Sequence, residues 1–320
     1  MYSFLFGLIG LCLLTHQVVA QANYPQRAVR IVVPSSPGGG TDILARVLAD
    51  HFSKKMGGQW FVENRPGAGQ SIGIEAVARS APDGYTFVMA ASTLVLNPVI
   101  LKSVRYDPVR DFSPITQVAS VPNVFLVHPS LGVTSLKEFI ALAKQKPGEL
   151  TYASAGVGTS PHMGVELLKS MAGIDLVHVP FRGTGPAVTE TLGGRISIVL
   201  SNTLTAKPLM ESGKLRALAV TGLKRAEGMP DVPTVAEAAV PNYEALQWYG
   251  LLAPAGTPPD IVARLQAETA IALKLPEVKE RLASDGAEPV GSTPSDFARF
   301  IKEELDKWTN VARIANIKPE

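Results

Sequence analysis

Val29-Arg30-Ile31-Val32-Val33-Pro34-Ser35-Ser36-Pro37-Gly38-Gly39-Gly40-Thr41-Asp42 runs from a β-branched apolar stretch, through a glycine-rich turn, into a helical pattern. A second junction of the same kind is Leu150-Thr151-Tyr152-Ala153-Ser154-Ala155-Gly156-Val157-Gly158-Thr159-Ser160-Pro161-His162. A strand-to-helix turn leaves the first backbone N–H groups of the helix without partners, at the end where the helix dipole favours negative charge. One such turn is common. Two in one chain, with little catalytic chemistry beside them, point to a protein that holds an anion between two lobes.

Around the first turn the pattern is clear. Thr41 or Asp42 can cap the helix, and Leu44, Val47, Leu48, His51 and Phe52 then share one helical face. Lys54 and Lys55 occupy its last turn and Gly57-Gly58 stops it. Residues 61–64 and 85–90 read as strands, with Arg65-Pro66-Gly67-Ala68-Gly69 as another strand-to-helix turn. A second series begins near Asn123, with strands at 123–128, 150–154, 175–179, 195–200 and 215–220. Ser135 to Glu138 is a capping box, and Ser160-Pro161 puts proline at a helix start. Residues 246–253 read as a strand, and 258–274, 276–284 and 294–314 as helices, the last opening on Thr293-Pro294-Ser295-Asp296. Strand and helix alternate, which is the pattern of an α/β fold with largely parallel sheets. The two series have similar outlines, so we expect two lobes: residues 24–121 plus 243–320, and residues 122–242. The crossings fall near Ser120-Val121-Pro122 and Val240-Pro241-Asn242.

At 320 residues the chain is long enough for two cores, and with 18% charged and 46% hydrophobic residues it reads as globular. A net charge of +2 gives no footing for nucleic acid or an anionic membrane surface. Tyr2 to Leu14 is almost wholly apolar, and Val18-Val19-Ala20 offers small residues for cleavage. We therefore expect a secretory signal over residues 1–20 and a periplasmic mature protein, although no Lys or Arg precedes Arg27. The single cysteine, Cys12, lies inside that segment, with Leu11 where a lipoprotein signal would carry a small residue. A mature chain without cysteine has no disulfide, thiol nucleophile or cysteine metal site.

Several blocks together resemble a known family. The first turn is similar to the first ligand loop of the Bug-type solute receptors, the extracytoplasmic binding proteins of tripartite tricarboxylate transporters. The likeness continues through Val62-Glu63-Asn64-Arg65-Pro66-Gly67-Ala68-Gly69, Ala81-Pro82-Asp83-Gly84-Tyr85-Thr86 and Asn97-Pro98. It extends through Asp111-Phe112-Ser113-Pro114-Ile115, the second turn, and Val179-Pro180-Phe181-Arg182-Gly183-Thr184-Gly185-Pro186-Ala187. Gly213 to Val220 and Leu252 to Pro258 also fit, so it covers essentially all of the chain beyond residue 20. The resemblance implies a two-lobed periplasmic binding protein of the second, flytrap type, with a mixed sheet in each lobe. It also implies a small organic acid as ligand, membrane components of a tripartite transporter as partners, and neither cofactor nor catalysis. We expect a monomer. Where family members often carry an aspartate, this chain has Ser201-Asn202, which removes a partner for a ligand ammonium.

The candidate ligand residues are Ser36, Gly38, Gly39, Gly40, Thr41 and Thr93 from one lobe. From the other they are Ala155, Gly156, Gly158, Thr159, His162, Arg182 and Asn202. The glycines would let an anion approach the backbone; the bland alternative is a tight turn. Asp42 is a poor neighbour for an anion and reads as a cap. His162 either donates to a ligand oxygen or is a buried structural group, and Arg182 either pairs with a carboxylate or closes the lobe interface. His51, His128 and His178 read as packing groups, and no histidine–carboxylate spacing suggests a metal. Two other functions remain open from the residues: an exported α/β hydrolase using Ser154 or Ser36 with a histidine, and a ligand-sensing module for a membrane kinase. Ser154 does not sit in a Gly-x-Ser-x-Gly elbow, and no Gly-Lys-Ser/Thr phosphate loop occurs.

Overall fold

The computed structural model describes residues 24–317 and 319, apart from Gly39, Arg182 and Asp285. The expected signal segment, Gly39 and Arg182 therefore lie outside the described residues.

The first half of the chain supplies β1 (Val29–Val33), α1 (Gly40–Met56), β2 (Trp60–Asn64), α2 (Ser71–Ala78), β3 (Thr86–Ala91) and α3 (Thr93–Ile100). A long strand, β4 (Phe112–Val127), follows, then α4 (Leu136–Gln145), β5 (Thr151–Ser154), α5 (Ser160–Ala172) and β6 (Val177–Pro180). Next come α6 (Thr184–Leu192), β7 (Ile198–Asn202), α7 (Thr203–Glu211), β8 (Arg216–Val220) and α8 (Val235–Ala238). The chain ends with β9 (Leu246–Pro254), α9 (Pro259–Ala272), α10 (Pro276–Ser284), β10 (Glu288–Pro289) and α11 (Pro294–Ile314).

The strands order as β2-β1-β3-β9-β4-β7-β5-β6, with β8 and β10 also pairing to β4. Strands β1, β2 and β3 pair in parallel, as do β5, β6 and β7. Every pairing of β4 is antiparallel, and so is β3 with β9. Each half of the sheet is thus mixed, against the largely parallel sheets that strand–helix alternation alone suggests. The reason is that β4 and β9 carry the chain between halves and must run against their neighbours.

The first crossing is also not a loop. Strand β4 begins at Phe112, well before the strand expected from Asn123, and continues through Ser120-Val121-Pro122. It pairs with β9 as far as Pro122 and with β7 and β8 from Asn123 onward. Pro114 and Pro122 hid this strand in the sequence, because proline donates no ladder hydrogen bond. Register shifts beside Pro114 and beyond Gln117 absorb the interruption.

Apolar burial explains the layers. On one face of the first half, Leu44, Leu48 and Phe52 of α1 pack with Leu265 of α9 and Leu282 of α10. One face of the second half buries Ala187 and Val188 of α6 with Val199 and Val220. The other core is continuous across both halves, from Val88 and Leu94 to Met163, Leu168, Trp248 and Trp308. Helix α11 sits over that shared core, packing on α3, β4 and α5. Its buried Glu304 accepts hydrogen bonds from the indoles of Trp248 at 3.2 Å and Trp308 at 2.9 Å, so the buried carboxylate has partners.

Candidate functional site

Parallel strands end at one edge, and the turns that follow them gather there. The turns after β1, β2 and β3 carry Ser36 to Thr41, residues 65–70, and Thr93. Those after β5 and β6 carry Ala155 to His162, Phe181 and Gly183, and Asn202 ends β7. The candidate residues therefore collect at the carboxyl edges of two three-strand parallel groups.

The first turn is organised by a charge. Asp42 does not cap α1 as expected; the helix begins at Gly40 and Asp42 is buried in its first turn. Its carboxylate accepts from the Gly38 amide at 2.9 Å, Arg46 Nε at 3.0 Å and Asn64 Nδ2 at 2.9 Å. Burial alone would raise its pKa, but the hydrogen bonds from Arg46, Gly38 and Asn64 prevail and hold it below the ordinary value. The Gly38 amide is thus engaged within the protein. Thr41 is buried with its hydroxyl 2.7 Å from that of Ser35, while Ser36 and Gly38 are exposed. Gly40 is a close approach: a Cβ there would lie 2.5 Å from Tyr249 Oη. Thr93 donates to Gln70 Oε1 at 2.7 Å, linking the turns after β3 and β2. Gln70 was not singled out in the sequence; only its left-handed backbone, φ 81°, marks it as unusual.

The second turn is organised without charge. The Gly158 N–H donates to His162 Nδ1 at 3.0 Å, and His162 is buried. This Nδ1 is engaged with the protein's own backbone. Ser154 Oγ accepts from the Gly156 N–H at 3.2 Å and lies 2.6 Å from His178 Nε2. His178, on β6, packs its ring against Tyr152 and His162, the packing role expected of it, and also meets Ser154 of this turn. Thr159 Oγ1 donates to the Gly156 carbonyl at 2.7 Å, and the Ala155 carbonyl accepts from the Gly183 N–H at 3.2 Å. Burial pushes the His162 and His178 imidazoles down to about 4, helped by Lys169 and, for His178, by its histidine neighbour. Gly158 has φ +74°, and a Cβ there would overlap the Ile100 side chain of α3, from the opposite half of the sheet. Asn202 Oδ1 accepts from the Thr205 N–H at 2.8 Å, so it caps α7. Beside it, Ser201 Oγ is buried without a hydrogen-bond partner among the described residues.

No helix among the described residues is long and apolar enough to cross a membrane, and no group of three or more His, Cys, Asp or Glu among them could hold a metal ion. A groove of about 550 Å³, lined by Lys137, Ile140, Lys144, Met171 and Val240, lies at the carboxyl end of α5, away from the second turn.

Ser154 does meet a histidine, as a hydrolase would require. It is nevertheless wholly buried, with its hydroxyl engaged by its own turn, so no substrate carbonyl can reach it.

Known proteins agree with this architecture. The model of the tripartite tricarboxylate transporter family receptor matches residues 44–317. BugT of Bordetella pertussis is 36% identical over 319 residues, covering 98% of each chain. Rpa4515 of R. palustris, solved with adipate, is 38% identical with a TM-score of 0.77, covering 93% of this chain and all of its own. The periplasmic binding protein BugD is 32% identical with a TM-score of 0.74 over 93% of this chain and 100% of its own. MatC from Rhodopseudomonas palustris, with bound malate, is 32% identical with a TM-score of 0.73 over 90% of this chain and 99% of its own. The family and its structural neighbours are solute receptors rather than enzymes, and the two-lobed α/β fold fits them. The chain belongs to the receptor family of the tripartite tricarboxylate transporters.

Proposed function

We propose that the protein captures a small organic carboxylate between the turn after β1 and the turn after β5 and presents it to a tripartite transporter. The observation that carries this reading is that two helices, α1 and α5, each begin at the carboxyl edge of a parallel strand group. First-turn amides have no intrahelical partners, and an anion satisfies both the amides and the helix dipole. The adipate and malate of the related structures belong to the same chemical class. Ser36, Gly38, Gly39, Gly40, Thr41 and Thr93 would contribute from one side. Ala155, Gly156, Gly158, Thr159 and Arg182 would contribute from the other, with His162 holding the turn and Asn202 capping α7 beside it.

The lobes are residues 24–121 plus 243–320, and residues 122–242, moving about β4 and the segment before β9. The change of β4's partners between Pro122 and Asn123 supports that division. Closure then follows ligand contacts made only when both turns meet the anion. The protein acts as a monomer in the periplasm after loss of residues 1–20, with the membrane components of the transporter as partners.

Isothermal calorimetry on the chain from Gln21, against mono-, di- and tricarboxylates, amino acids and phosphate, tests the reading. Saturable binding of one carboxylate class supports it. Saturable binding of amino acids or phosphate alone, or of nothing in ligand-stripped protein, overturns it.

A further inference from the structure

Beneath the second turn lies a cluster that ligand capture does not itself require. Tyr152 of β5, His178 of β6 and His162 of α5 stack nearly parallel. His162 and His178 have ring centroids 4.2 Å apart at 14°. Tyr152 and His178 are 4.7 Å apart at 11°. Tyr152 donates to Glu166 Oε1 at 2.5 Å, and Lys169 Nζ donates to the same oxygen at 2.9 Å.

The direction of one hydrogen bond follows from chemistry. A backbone N–H can only donate, so His162 Nδ1 accepts from Gly158. The Gly156 carbonyl already receives the Thr159 hydroxyl at 2.7 Å and the Thr159 N–H at 3.4 Å. Ser154 Oγ lies 3.1 Å from that carbonyl and 2.6 Å from His178 Nε2, so the partner its proton serves follows the His178 tautomer. His162 Nδ1 thus acts as an acceptor, and an imidazolium nitrogen accepts nothing.

We propose that His162 is a positioning residue, a neutral acceptor that holds the second turn in shape with His178 stacked against it, so that proton uptake at its Nδ1 loosens the turn. The proposal deepens the carboxylate-receptor reading, since the turn so held is one of the two that grip the anion. The charged and titratable groups around the rings are few. Glu166 and Lys169 come from α5 and Tyr152 from β5; Glu166 favours the charged form of His178, while Lys169 disfavours it in both rings. Strand β7 contributes no titratable group. Tyr249 of β9 lies against Gly40, and the buried Glu304 of α11 faces Trp248, Trp308 and Lys307. The turn also presents Gly158 to Ile100 across the halves, so its shape bears on how they meet.

The test uses His162→Phe, which keeps a ring in the stack and removes the acceptor, and His162→Asn, whose carbonyl restores an acceptor. Amide hydrogen exchange of residues 155–162 is measured in the ligand-free protein, with adipate affinity by calorimetry as a second readout. We expect protection of the turn to fall about tenfold in the phenylalanine variant and to return in the asparagine variant. Wild-type protection, corrected for intrinsic exchange, should fall as pH drops from 6.5 through about 4, while that of the phenylalanine variant changes less. If His162→Phe does not fold, the pH dependence of wild-type protection against that of His162→Asn decides. Equal protection in wild type and variant, or wild-type protection independent of pH, overturns the proposal. Wild-type protein that binds no carboxylate would sink the receptor reading instead, and the exchange data would still judge His162.

Discussion

The turn after β1 and the turn after β5 share a plan: apolar strand, glycine-rich turn, helix N-terminus. Their supports are opposite in kind. The first is held by an ionised carboxylate, Asp42, bonded to Arg46, Asn64 and the Gly38 amide. The second is held by two imidazoles kept neutral by burial. A charged hub brings strong, directional bonds and fails when a partner is removed. A neutral hub avoids burying a charge beneath an anion site and fails when a proton is added. Similar backbones therefore meet acid and mutation differently, and each difference can be measured.

The largest effect should come from the charged hub. Asp42→Ala leaves the Gly38 amide without its acceptor and takes the shared carboxylate from Arg46 and Asn64, and we expect it to lower unfolding free energy by about 3 kcal/mol in urea. A loss below ~1 kcal/mol would show that solvent replaces the carboxylate and would erase the contrast. Because the Asp42 carboxyl is held low, its contribution is present above the ordinary value of 3.8 and is lost as pH falls through the lower folded value.

Gly158→Val comes next. It places a β-branched residue at φ +74° against Ile100. We expect a cost of about 2 kcal/mol in stability and a larger loss of ligand affinity. Pairing it with Ile100→Ala sharpens the point: recovery of affinity without recovery of stability would separate the contact across the halves from the backbone strain.

The third outcome is a pH profile. The folded pKa values of His162 and His178 lie below the ordinary value of 6.5, so their neutral forms favour folding above it. Stability should decline as pH falls from 6.5 to about 4, and the decline should shrink in His178→Phe. An unchanged slope in the variant would show that other groups carry the acid sensitivity. The smallest effect concerns Asn202. As the cap of α7, its replacement by alanine should cost about 1 kcal/mol and leave carboxylate affinity nearly unchanged. A tenfold loss of affinity at constant stability would instead make it a ligand contact.

Much of this was local and therefore legible. The N-cap and proline start of α11 at Thr293-Pro294 and the glycines ending α1 act within a few residues, as does the periodicity of Leu44, Leu48 and Phe52. The two glycine turns were visible for the same reason, since strand, turn and helix are adjacent in the chain. Other features were not. Strand β4 was hidden by its prolines, because pairing with β9 brings together residues far apart in sequence. Asp42 looked like a cap because Asn64, which turns it into a hub, lies on another strand. That His178 also meets Ser154 was hidden because the two residues are 24 apart in the chain.

The sequence by itself determined the alternation of elements, the two turns and the family likeness, all written in short-range propensity and in the order of motifs. Tertiary structure alone decided which polar atoms meet beneath those turns, that His162 Nδ1 accepts from Gly158, and that Ile100 fills the space beside Gly158. The physical reason is that hydrogen bonding and burial depend on distance in space, which sheet order sets and adjacency in the chain does not.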